Sequence, residues 1–271
     1  MQNTFSNRVA FLTGAASGIG LALSRQLAAR GARVTMSDRD TATVTREARA
    51  IGARAVGLDV TDRAGVHRAI EATVEAEGRL DYLFSNAGIG VGGEARDFSP
   101  ADWDRVIDVN LGGVVNGVLA AYPIMARQRS GHIVNVASVA GLVPLPGEIS
   151  YTTSKWAVVG LSRALRAEAA DLGVKVTVVC PGTVATPIYA TSPIVGFDRD
   201  AVLAMWPRGM APDACARELL EGVAKNRAEV VITGHARALR ALERLSPRLV
   251  DALSLRYFRR VRRFRTEAPR G

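Results

Sequence analysis

A chain of 271 residues with 48% apolar content can bury a large core and suits one α/β domain. Two cysteines, Cys180 and Cys215, and three scattered histidines exclude a disulfide framework and a metal-ligand cluster, so no metal is expected. The net charge of +9 is uneven: from His235 onward eleven Arg face Glu243, Asp251 and Glu267 (11 − 3 = +8), leaving about +1 for the rest.

The first seven residues are polar, and the apolar run at 9–12 is too short for a secretory signal. No window approaches 18 apolar residues, so no membrane span is expected. A reducing, cytoplasmic setting fits.

In chain order, 8–13 reads as a buried strand and 14–20 as a turn. A helix follows over 19–30, with Leu21, Leu23, Leu27 and Ala28 on its apolar face and Gly31 to end it. Strands are predicted at 32–37, 53–58 and 80–85, with helices at 41–51 and 62–77. Ser99-Pro100-Ala101-Asp102 is a helix start: a capping Ser, Pro at the first position and an acid in the first turn. That helix runs to about 129 with a break at Gly112-Gly113. Strands at 132–137, 175–180 and 229–233 alternate with a helix to about 172 and another from about 212. The alternation implies a doubly wound α/β sandwich of Rossmann type. Its parallel sheet has seven strands and helices on both faces. Residues 1–234 read as one dinucleotide-binding domain and 235–271 as a basic amphipathic extension.

The turn Thr13-Gly14-Ala15-Ala16-Ser17-Gly18-Ile19-Gly20 joins a strand to a helix. Glycines let backbone approach a pyrophosphate, and the helix start offers unpaired N–H groups. Gly14, Ser17, Gly18, Ile19 and Gly20 are therefore candidate cofactor contacts. Asp38 ends the second strand, 18 residues after Gly20, where a carboxylate can hold a ribose diol and repel a 2′-phosphate. This favours NAD. Arg39 and Arg33 leave NADP open, because a guanidinium there would welcome the phosphate.

Tyr151 and Lys155 are four apart at the start of a helical stretch, so both side chains leave one face. A nearby ammonium favours the phenolate, and the Tyr151 phenol is expected to fall below its usual pKa of about 10. Ser138 follows an apolar strand and should lie at the sheet edge where ligands bind.

Together these residues resemble the short-chain dehydrogenase/reductase family, in its single-domain branch. The likeness covers nearly all of 5–234. It comprises the TGxxxGxG turn, Asp59-Val60, Asn86-Ala87-Gly88, Asn110, the Ser138, Tyr151 and Lys155 set, and Pro181-Gly182-Thr183-Val184-Ala185-Thr186. The resemblance implies that Asp59 and Val60 contact the adenine and that Asn86, Ala87 and Gly88 let backbone pass the cofactor. It implies that Val184 and Thr186 hold the nicotinamide carboxamide and that Lys155 bonds its ribose. Asn110 would hold a water that links Lys155 to solvent, or else only satisfy a kinked backbone. Tyr151 would be the general acid/base and Ser138 would polarise the substrate oxygen. A homodimer or homotetramer is implied, built on the helices at about 100–128 and 151–172.

Apolar residues at 142–146 and 188–210 suggest a lid over a hydrophobic alcohol or ketone, of steroid, terpenoid or lipid type. Packing on the core or a partner would explain them equally. The tail repeats Leu239, Leu242, Leu245, Leu249, Val250, Leu253, Tyr257, Val261 and Phe264 at helical spacing, with a break at Ser246-Pro247. Packing over the cleft or a neighbouring subunit ranks first for it. Peripheral contact with an anionic membrane ranks second, and nucleic acid or a solvated helix after that. The rival function is a non-catalytic dinucleotide-binding sensor or scaffold, which would need no proton relay. An epimerase or dehydratase of the extended branch would need a substrate domain that this length does not supply.

Overall fold

The computed structural model describes residues 4–266. Strand β1 (Val9–Thr13) is buried along its whole length and turns alternate side chains to opposite faces. Val9 and Phe11 enter one core; Ala10 and Leu12 enter the other. The remaining strands of the sheet are β2 (Arg33–Asp38), β3 (Arg54–Gly57), β4 (Tyr82–Ser85), β6 (Gly131–Val136), β7 (Val174–Pro181) and β9 (Glu229–Ile232). All pair in parallel, in the order β3-β2-β1-β4-β6-β7-β9. This is the seven-stranded doubly wound sheet that the alternation implies.

Helices α1 (Gly18–Ala29), α2 (Thr41–Ala50) and α9 (Pro212–Ala224) cover one face through Leu23, Leu27, Val44 and Leu219. Helices α3 (Arg63–Glu77), α5 (Gly113–Gln128) and α6 (Ile149–Ala169) cover the other through Ile70, Val114, Ala121 and Val158. Asp40 and Asp62 cap α2 and α3 by accepting from the N–H groups of Thr43 and Gly65. Helix α4 (Pro100–Ile107) opens on a reciprocal Ser99–Asp102 capping box.

A π turn, Asp108–Gly112, joins α4 to α5. By length and composition the run Pro100–Gln128 is apolar enough to cross a membrane, contrary to expectation. Half of its apolar window is buried within the protein, however, as befits a core helix.

Four short elements were not anticipated: β5 (Gly92–Gly93), α7 (Ile188–Thr191), β8 (Ile194–Val195) and α8 (Arg199–Ala204). Strands β5 and β8 form a separate parallel pair, Gly92 beside Ile194 and Gly93 beside Val195. The tail forms α10 (Gly234–Leu245) and α11 (Pro247–Val261), parted at Ser246. Both fold back on the body. Arg240 pairs with Glu229 at 3.1 Å and Arg237 with Glu218, while Phe258 and Val261 bury against Phe197 and Val202.

Candidate active site

The strand order reverses between β1 and β4, which opens a crevice beyond their carboxyl ends. Two turns meet there. Thr13 Oγ1 accepts from the N–H groups of Asn86 (3.0 Å) and Ala87 (3.1 Å). Asn86 Nδ2 donates to the carbonyls of Thr13 (3.1 Å) and Gly14 (3.0 Å). Gly14 has φ +63°, and a Cβ on it would lie 2.7 Å from Ala87 Cα. Gly18 has φ +54° and faces the Thr186 methyl. A side chain at Gly20 would collide with the Gly14 carbonyl. Ser17 stands before α1 without using its hydroxyl as a cap, so the first-turn N–H groups are left to a ligand. This cradle fits a dinucleotide pyrophosphate.

Asp38 reaches the same turn. Its Oδ2 accepts from Ala16 N–H at 3.0 Å and its Oδ1 from Asp40 N–H at 3.0 Å. Asp59 accepts from the Thr61 N–H (2.9 Å) and hydroxyl (2.8 Å). Those bonds, with help from Arg39, hold the Asp59 carboxyl below its usual range. Val60 is buried and faces Gly113, so its side chain is turned into the core.

A cavity of about 600 Å³ runs from Ser17, Gly18 and Ile19 past Gly88, Ser138, Tyr151 and Lys155 to Val184 and Thr186. Gly14, Gly20, Asp38, Arg39, Asp59, Val60 and Ala87 do not line it. They belong to the crevice side of the turn, so the sequence-predicted residues divide into two groups.

Ser138 follows β6 and accepts from Ala140 N–H at 3.1 Å. Its hydroxyl also hydrogen-bonds the Tyr151 phenol. Lys155 is buried; its Nζ donates to the Val136 carbonyl at 3.0 Å and lies 5.5 Å from the Tyr151 ring centre. Burial lowers its pKa to about 8. The Tyr151 phenol is pushed up, not down as the sequence implies. Burial is the largest cause and the carboxyl of Glu148 adds to it, while the Ser138 bond only partly opposes them. The lysine is too far from the phenol, and too engaged with Val136, to outweigh the loss of water.

Asn110 lies in the π turn and is fully buried. Its Oδ1 accepts from Ile89 N–H at 2.8 Å, and its Nδ2 donates to the Ile89 carbonyl (2.9 Å) and to Ser154 Oγ (3.1 Å). A Cβ on Gly88 would lie 3.3 Å from Asn110 Oδ1 and 3.5 Å from Lys155 Nζ, so the three converge.

The family model described as short chain dehydrogenase matches residues 8–193. The chain belongs to the short-chain dehydrogenase family. Among short-chain dehydrogenases and related proteins it is 36% identical to the putative oxidoreductase SadH of Mycobacterium tuberculosis, over 94% of this chain and 98% of SadH. It is 40% identical to the 2-(R)-hydroxypropyl-CoM dehydrogenase of Xanthobacter autotrophicus, over 74% of this chain and 84% of that one. A crystal structure of a short-chain dehydrogenase/reductase from Burkholderia phymatum in complex with NAD superposes with a TM-score of 0.80. The two are 32% identical, and the likeness covers 90% of this chain and 95% of that one.

This short-chain dehydrogenase encloses its cavity with segments far apart in sequence. The 142–146 segment contributes Leu142 to the core and Pro144, Leu145 and Pro146 to the cavity wall. Tyr189, Ile194, Phe197 and Trp206 come from the 188–210 segment, which folds as α7, β8 and α8 rather than as a loop. Leu239, Leu253, Tyr257 and Phe258 come from α10 and α11. Two residues went unnoticed in the sequence. Thr13 carries no signal beyond its place in the turn. Glu148 lines the cavity three residues before Tyr151, and an acid ahead of a helix reads as routine N-terminal chemistry.

Proposed function

We propose that this short-chain dehydrogenase interconverts a secondary alcohol and a ketone on a hydrophobic substrate, with NAD as the hydride carrier and Tyr151 as general acid/base. The observation that carries the reading is the Ser138–Tyr151 hydrogen bond on the wall of an otherwise apolar cavity, with the glycine turn at its other end. When bound, the nicotinamide supplies the hydride chemistry. In oxidation Tyr151 takes the proton from the substrate hydroxyl, and in reduction it returns it. Ser138 donates to the substrate oxygen as charge develops there. Lys155 stands one turn below Tyr151 to orient a ribose and pass protons. Asn110 fixes the Ile89 backbone and Ser154 behind Lys155, a positioning role.

NAD is preferred because Asp38 stands at the end of β2, where a 2′-phosphate would meet a carboxylate. The NAD-bound Burkholderia structure supports the same choice. Arg39, exposed beside Asp38, keeps NADP usable at lower efficiency. Residues 1–234 carry cofactor and chemistry, and 235–271 roof the substrate end. The apolar wall supports a lipid-, steroid- or terpenoid-like substrate. Exposed Leu119 on α5 and Ile149 and Trp156 on α6 support a homodimer or homotetramer built on those helices. Both cysteines are free and buried, which supports a cytoplasmic enzyme.

A peripheral membrane contact is the second reading of the tail. Leu245, Leu249, Leu253 and Leu255 are exposed on α10 and α11 beside exposed Arg248, Arg256, Arg259 and Arg260. Co-sedimentation with anionic vesicles, lost in an Arg248→Glu/Arg256→Glu/Arg259→Glu variant, tests it. The function itself is tested by a panel of hydrophobic secondary alcohols and ketones assayed with NAD and NADP. Turnover that persists undiminished in Tyr151→Phe would sink the assignment.

A further inference from the structure

Glu148 occupies an unusual place. Among the residues that line the cavity it is the only carboxylate, set among Leu145, Tyr151, Tyr189, Trp206 and Tyr257. Among the described residues no hydrogen bond or ion pair engages its side chain. It stands directly before α6, yet makes none of the capping bonds by which an acid normally settles at a helix start. The contrast with the neighbouring acids is direct: Glu94 and Asp97 are each bound by arginines. Eleven arginines fall in the tail that forms the cavity roof, and none turns to Glu148. His235, also on the wall, is committed elsewhere, since its Nε2 accepts from Thr183 N–H at 3.1 Å.

A carboxyl group facing an apolar cavity is tolerated while water reaches it. Once a substrate fills the space, the water leaves and the carboxyl must find a partner or lose hydration uncompensated. The protein offers it none, so the partner must arrive on the substrate. We propose that Glu148 is a second recognition point, which accepts a hydrogen bond from a hydroxyl or protonated amine that the substrate carries away from its reacting carbon.

The inference rests on the alcohol–ketone reading and narrows its substrate class to diols, hydroxyketones and amino alcohols with an apolar body. Burial raises the Glu148 carboxyl to about 7, as an unpartnered group in an apolar wall requires, and a donor that binds there favours the ionised form. Its nearness to Tyr151 is felt in the phenol, which Glu148 helps to hold protonated. A donor on Glu148 therefore also neutralises the charge that opposes ionisation of Tyr151.

The test is a matched series: 2-octanol, octanediols in which the second hydroxyl walks along the chain, and the corresponding amino-2-octanols. They are assayed for NAD reduction and by calorimetric binding to the full-length protein. At one or more spacings the second donor should raise kcat/KM by about tenfold or more over 2-octanol, the range that a site built to hydrogen-bond its ligand gives. Glu148→Leu should abolish that excess while 2-octanol is turned over as well as before or better. Glu148→Gln, which keeps an acceptor but no charge, should retain part of the diol excess and lose that of the amines. Equal preference for all members in the wild type, or an excess that survives in Glu148→Leu, overturns the inference. An equal fall for all substrates in Glu148→Leu assigns the residue a structural role and overturns it too. If the wild type oxidises no member, the dehydrogenase reading fails, and the calorimetric comparison of 2-octanol with its diols still decides whether Glu148 selects a donor.

Discussion

Arg265 grips Asp97 with both terminal nitrogens, at 2.9 and 2.8 Å, across 168 positions of sequence. The same guanidinium and that of Arg262 also bind Glu94, which Arg96 holds from its own side at 2.9 Å. Burial alone would raise the Glu94 carboxyl, but the bonds from Arg262 and Arg96 outweigh it and keep the group below its usual range. The end of the chain is thus fastened to the segment after β5, and α11 is held over the cavity between them. Arg265→Ala should release that end. Amide hydrogen exchange over 247–264 is expected to quicken, and KM for a hydrophobic alcohol to rise more than kcat changes. Added salt should mimic the variant. Unchanged exchange in the variant would mean that the apolar contacts of Phe258 and Val261 hold the roof unaided.

The protonation of Tyr151 sets the pH behaviour. Its phenol is raised in the folded protein, so the phenolate needed for oxidation becomes more abundant as pH rises, and the phenol needed for reduction is present throughout the neutral range. Oxidation rates should climb from pH 7 to pH 10, and reduction rates should stay nearly flat. Tyr151→Phe should lower kcat by at least about a hundredfold in both directions and leave dinucleotide affinity within a few-fold. Parallel pH–rate profiles for wild type and variant would remove Tyr151 from the proton transfer.

Asp38 should govern the choice of dinucleotide. Its carboxylate stands beside exposed Arg39, and its bonds to Ala16 and Asp40 fix its position. Asp38→Asn keeps the shape and removes the charge. The ratio of kcat/KM for NADP over NAD is expected to rise by about tenfold or more, because Arg39 then meets a 2′-phosphate without an opposing carboxylate. A ratio that does not move would place the ribose elsewhere.

His132 predicts an acid weakness unrelated to the active site. It is buried between β6 and β7, with Nε2 at 2.8 Å from Thr177 Oγ1. Burial, with Lys175 and Arg166 adding to it, lowers its pKa to about 3. The unfolded chain, with a histidine near 6.5, therefore binds more protons than the folded one below that pH. The contribution is complete above pH 6.5 and is lost progressively as pH falls toward 3. Urea unfolding should show stability declining from pH 6.5 to 4, with a smaller slope in His132→Gln. Equal slopes would exclude His132 as the cause.

The sheet was legible because each strand is a short apolar run bounded by Gly, Pro or Asp, and each helix between them carries its own caps. The shared face of Tyr151 and Lys155 follows from their spacing alone. The raised Tyr151 phenol does not, because spacing reports the cation and says nothing of the water excluded by α10 and α11. The β5–β8 pair escaped notice because Gly92-Gly93 has no strand propensity and becomes a strand only where residues a hundred positions away lie beside it. The same holds for Glu148. Its meaning comes from the apolar groups around it, which three separate segments supply.

Those three segments have a practical consequence for anyone who would retarget the enzyme. The Gly92–Asp97 strip touches the 194–197 strip through β5 and β8, and the 194–197 strip is bridged to Arg265. Transplanting one of them from a cousin would leave the other two shaped for the old occupant. Recombination libraries should therefore exchange all three as a single cassette, with breakpoints in the sheet beneath.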